Sequence, residues 1–190
     1  MENSSDEVIK QILIQSDERE IQKLCFTNKR FALLCQDDKF MQGIYQQKAE
    51  NTISPEIIAF KPLNMSWKEF CTRIYNLKNS PLGINEYCAF GDLLEIQILA
   101  NMNPPQLPSW LGADIAAENG NVNVLTYIGS LGIFPTENAI NWATVNGRLE
   151  VVQYLVSLDQ RPEEMFVHIA AQDGHTDVVN YLASLDSLPN

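Results

Sequence analysis

A chain of 190 residues, 45% hydrophobic and 19% charged with a net charge of −11, has the length for one large or two small domains and the apolar share for a buried core. No run approaches the roughly 18 to 20 apolar residues of a membrane span, and the opening MENSSDEVIKQ lacks a charged-then-apolar secretory layout, so a cytosolic or nuclear protein is expected. The charge is divided unevenly: residues 1–82 hold 11 basic and 11 acidic side chains, whereas residues 83–190 hold Arg148 and Arg161 against 13 acids, which sets the second part against nucleic-acid phosphates.

In chain order, helical patterns dominate the first fifty residues. DEVIKQILIQ puts Val8, Ile9, Ile12 and Leu13 on one face; SDEREIQKLC offers Ser16 or Asp17 as a cap, acids in its first turn, and Ile21 and Leu24 inward. TNKRFALLCQ adds Phe31, Leu34 and Cys35, and DDKFMQGIYQQKAE adds Phe40, Met41, Ile44 and Tyr45, so short helices with tight joints make a compact bundle. Cys25, Cys35, Cys71 and Cys88 form no CxxC pair. Neither a zinc site nor a disulfide framework is indicated, and all four read as reduced, mostly core residues.

The order of these pieces over residues 4–48 resembles an F-box: a first helix with D-E-V-I, a second reaching I-x-x-L, T-N-K-R-F where the family has V-C-K-R-F/W, and D-D-x-F-M for the closing aromatic turn. Ser4-Ser5 stands in place of the family's opening Leu-Pro. The resemblance implies that residues 1–50 are an F-box-like module docking on the Skp-type adaptor of a cullin-RING ubiquitin ligase through Val8, Ile9, Ile12, Leu13, Leu24 and Phe31. An unrelated helical cap, whose apolar residues only fill its own core, stays open. Residues 51–82 read as connecting and capping helices, with Ser66 a cap before WKEFCTRIYNL, whose Trp67, Phe70, Cys71, Ile74 and Leu77 share a face.

From residue 83 a period takes over. Gly120, Gly147 and Gly174 stand 27 apart, with Gly91 29 earlier. Counting from these marks, position −4 holds Ala116, Ala143 and Ala170, +7 holds Tyr127, Tyr154 and Tyr181, and +11 holds Leu131, Leu158 and Leu185. Between them Val124, Val151 and Val178, then Leu125, Val152 and Val179, then Ile128, Leu155 and Leu182 trace one apolar face of a helix about three turns long. Pro135, Pro162 and Pro189 keep the same spacing and suit a first helical turn. Each unit reads turn, Pro, short helix, Gly, longer helix; the small Ala lets short helices approach, and the Tyr, Leu and Val columns are expected to stack into a continuous core.

GHTDVVNYLASL and GRLEVVQYLVSL resemble the G-H-x-E-V-V-x-x-L-L segment of ankyrin repeats, and FVHIAAQDGH their T-P-L-H-x-A-A-x-x-G-H segment, with His168 and His175 in the two histidine positions. The resemblance covers residues 83–190 in about four units, weaker where Tyr87 replaces the alanine, and each unit lacks about six residues of the usual hairpin finger. Such short units resemble ankyrin copies of large DNA viruses and amoebae, which implies a giant-virus source and residence in host cytoplasm or nucleus. The implied fold is all-α: an F-box-like bundle followed by an ankyrin α-solenoid with shortened hairpins.

The ankyrin resemblance places Ile115, Trp142 and Ile169 on the concave groove, with Glu118, Val145 and Gln172 beside them, as target-binding residues; packing of these side chains onto their own turns stays open. Both histidines are explained by the repeat, and no phosphate loop, HExxH or GxSxG occurs. No catalytic residue, metal or cofactor is therefore expected. Three readings follow: a monomeric substrate-receptor subunit linking a Skp-type adaptor to an unknown target protein, a plain ankyrin binder or inhibitor, or an enzyme whose site assembles only in space.

Overall fold

A computed structural model describes residues 4–186, which form fourteen α-helices and, among the described residues, no strand. The chain divides into two compact units, Met1–Ser80 and Pro81–Asn190.

The first unit holds α1 (Ser4–Gln15), α2 (Glu18–Thr27), α3 (Lys29–Cys35), α4 (Asp38–Thr52), α5 (Pro55–Ile58) and α6 (Trp67–Lys78). Local rules set its boundaries. Asp17 and Glu20 form a reciprocal capping box at α2, Asn28 accepts from the amides of Arg30 and Phe31 at α3, and Ser66 accepts from Glu69 at α6. Lys48 of α4 donates to the carbonyls of Leu13, Ile14 and Ser16, closing the C-terminal end of α1 with a cation where the helix dipole favours one. Arg30 grips the Asp6 carboxylate at 2.5 and 2.7 Å, pinning α3 to the start of α1. The core is Ile9, Leu13, Ile21, Phe31 and Ile44, with Leu24, Leu34, Phe40 and Met41 packed around it. On the other side of α4, Phe70, Ile74 and Leu77 of α6 are buried.

Two expectations are corrected here. Cys25 and Cys35 are joined in a disulfide with Cα atoms 6.0 Å apart, because the tight joint at Asn28 turns α3 back along α2; only Cys71 and Cys88 are free. Val8, Ile9, Ile12 and Leu13 do not share one environment. Ile9 and Leu13 are buried, while Val8 is 59% and Ile12 41% exposed, since neighbours in a helix differ by about 100° and α4 covers only one of the two ridges.

The second unit is four helix pairs: α7 (Ile84–Phe90) with α8 (Leu93–Ala100), α9 (Trp110–Asn119) with α10 (Val122–Ser130), α11 (Ala139–Val145) with α12 (Leu149–Ser157), and α13 (Glu164–Gln172) with α14 (Thr176–Asp186). First helices pack on first helices and second on second. The four marker glycines all take positive φ, and in each pair the amide after the glycine donates to the carbonyl at −4, as Arg148 does to Ala143 at 2.9 Å. At −4, Ala116, Ala143 and Ala170 are fully buried, as are Val151, Val152 and Leu155 of α12.

The tyrosine and leucine columns depart from the expected core. The tyrosines are half-buried, and Tyr154 lies over the preceding second helix: its Oη donates to the Leu125 carbonyl at 3.5 Å and occupies the space a Cβ on Gly129 would need. Leu131 and Leu158 are exposed because they stand at the C-caps, where the chain leaves the helix. The prolines also act differently. Pro135 and Pro162 precede α11 and α13 rather than opening them, and Pro189 lies outside the described residues.

Candidate functional site

The first helix of each repeat has one buried and one open side. With the −4 alanine turned inward, residues at −5 and −2 fall on the opposite flank, and the structure places them so: Ile115, Val145 and Ile169 are half-buried, Glu118 and Gln172 exposed, and Trp142 49% exposed. The Trp142 ring meets Phe166 of the next repeat edge to face at 6.1 Å, which fixes the indole without covering it. Because α9, α11 and α13 stack side by side, Ile115, Trp142 and Ile169 form one strip. Sequence reasoning missed Leu111 and Met165, 45% and 59% exposed, although each lies one helical turn before a strip residue and the i, i+4 rule would have found both.

Two polar seams hold the helices that carry this strip. At one end, the residue at −6 reaches the residue that follows a proline in the next repeat. Asn85 accepts from the Ser109 amide at 3.1 Å, Asp114 from the Thr136 amide at 2.7 Å and hydroxyl at 2.8 Å, and Asn141 from the Glu163 amide at 2.9 Å. The proline before each of these residues, Pro108 included, fixes φ and leaves the next amide to point at the preceding repeat. His168 occupies the same register and is exposed.

At the other end, the residue after each glycine folds back onto the preceding repeat. Asn121 donates to the carbonyls of Cys88 and Ala89 at 2.9 Å, Arg148 to that of Glu118 at 3.1 Å, and His175 lies against Gly147. These are the orphan carbonyls that end a helix, so the seam satisfies groups that would otherwise need water.

In the first unit, Ile9, Leu13 and Phe31 belong to the core and Leu24 packs half-buried against it. Val8 and Ile12 are open, and so are Phe26 at 90% and Leu33, which the sequence reading passed over because they fall off the apolar ridge of their helices. Tyr45 donates to the Glu18 carboxylate at 2.8 Å; burial first, then that carboxylate, pushes its phenol up. Burial lowers the Lys48 ammonium, against nearby carboxylates that favour its charge. Such a cluster braces α1, α2 and α4 against one another.

Burial also pushes the free thiols of Cys71 and Cys88 up to about 11, so neither supplies a thiolate nucleophile near neutral pH. Among the described residues no group of His, Cys, Asp and Glu could hold a metal, and no helix is long and apolar enough to cross a membrane.

Comparison with curated proteins and with solved structures finds no match. A family model does match: residues 113–190, which include α10 to α14 and most of α9, correspond to ankyrin repeats in 3 copies, a family that is typically non-enzymatic and whose repeats point to protein partners.

Proposed function

We propose that the chain is a protein-interaction adaptor, a substrate-receptor subunit whose repeats hold a target protein on the first-helix strip while the first unit engages a Skp-type ligase adaptor. The observation that carries the reading is the half-exposed Trp142 between Ile115 and Ile169, a rigid aromatic anchor set among apolar neighbours, the usual make-up of an interface hot spot. For the first unit, the order of helices and the exposure of Val8, Ile12, Phe26 and Leu33 support docking through these side chains rather than through the whole set implied by resemblance.

A plain ankyrin binder without a ligase link is the second reading, favoured by one fact: Ile9, Leu13 and Phe31 are occupied in the bundle's own core. Calorimetric titration of the full chain with a Skp-type adaptor separates the two. Heat that disappears in the double variant Val8→Asp, Ile12→Asp, with helicity kept, supports the ligase reading. No heat up to high micromolar adaptor leaves the plain binder.

A further inference from the structure

The strip is apolar along its middle, and exposed acidic side chains outnumber basic ones along its flanks. Leu111, Ile115, Trp142, Met165 and Ile169 supply the middle. Glu118 and Glu164 on the same helices, Glu137 just before α11 and Asp173 at the C-cap of α13 are all exposed. No lysine occurs in residues 83–190, and both arginines direct donors to backbone carbonyls, Arg148 to Glu118 at 3.1 Å and Arg161 to Gln160 at 2.9 Å.

We infer that this face takes a basic amphipathic helix of a partner protein, whose Leu- or Met-type side chains meet the strip and whose Lys or Arg side chains meet the carboxylate rim. The inference rests on the protein-binding reading above and adds the chemistry of the partner. Three neighbouring first helices at about 8 to 10 Å spacing span about 20 Å, the length of about 13 helical residues. Apolar contact supplies most of the affinity. The rim adds a small increment per exposed pair, raises the rate of encounter and repels acidic competitors.

The test uses the full chain and three synthetic 18-residue helices with the same leucine face and a polar face of lysine, glutamine or glutamate. The lysine helix should bind about tenfold or more tighter than the glutamine helix, a difference of about 1.4 kcal/mol. That preference should vanish in about 1 M salt, where the screening length is about 3 Å. Glu118→Lys with Glu164→Lys should remove the preference while leaving the glutamine helix bound. Trp142→Ala should weaken both helices about tenfold.

Equal binding of the lysine and glutamine helices, still dependent on Trp142, overturns the basic-partner inference and leaves the strip as a binding surface. Lysine-helix binding that is unchanged both by Trp142→Ala and by the charge reversals places the helix elsewhere on the acidic unit and overturns both readings. No binding of any of the three helices overturns the inference. Trp142, Glu118 and Glu164 are all at least partly open, and a thermal melt of each variant confirms its fold.

Discussion

Leu155 is the plainest test of the repeat core. Its side chain is fully buried on α12, so Leu155→Ala should lose about 2 to 5 kcal/mol in denaturant unfolding, the range for a buried leucine truncation. A loss under about 0.5 kcal/mol, the scale of a surface change, would mean the face is misassigned. The glycine column offers a paired comparison. Gly147 and Gly174 both have positive φ, but a Cβ on Gly147 meets the His175 ring, whereas among the described residues nothing stands within 4 Å of one on Gly174. Gly174→Ala should cost about 1 to 2 kcal/mol for the left-handed backbone alone, and Gly147→Ala about 1 to 3 kcal/mol more for the displaced ring; equal losses would show that His175 moves freely. Caps and glycines were legible in the sequence because each follows a rule acting within a few residues. The Cys25–Cys35 bond was not, since it depends on the fold-back of α3 on α2.

On α1 two ridges of similar apolar character run one residue apart, and the chain gives no local sign of which faces α4. That is why the sequence places Val8, Ile9, Ile12 and Leu13 together while the fold separates them. Ile9→Asp with Leu13→Asp puts two charges into the core of the first unit and should abolish its helical circular dichroism; Val8→Asp with Ile12→Asp should leave it within a few tenths of a kcal/mol of the parent. An unfolded Val8, Ile12 variant would show that the exposed ridge carries structural weight. The strip on α9, α11 and α13 was legible through the −5 column. The proline column is visible in the sequence but its role is not, because aiming an amide at the preceding repeat is a relation between repeats and not within one.

Across the whole molecule, thiol counting tests the disulfide, with one free cysteine in each unit. Native, unreduced protein should give no rapid reaction with a thiol reagent at pH 8, since the thiols of Cys71 and Cys88 lie near 11 and the thiolate is the reacting form. Denaturation should release two thiols, and reduction before denaturation four; four without reduction would exclude the disulfide. Lysine distribution bears on the ligase reading. All eight lysines precede residue 79, so the repeat unit would, on that reading, offer no side-chain amine for ubiquitin. Lysines installed at the exposed Gln153 and Asn180 should shorten the half-life in cells with an active ligase, and an unchanged half-life with adaptor binding intact would reduce the lysine-free composition to drift toward acid. The two seams carry one more consequence. Each bond described for them joins a repeat to its immediate neighbour, so the free-energy effects of substitutions should sum when made in α8 and α14 and fail to sum when made in α9 and α11. Damage, and equally improvement, stays where it is made, and one repeat can be exchanged for another recognition surface without the distant ones registering the change.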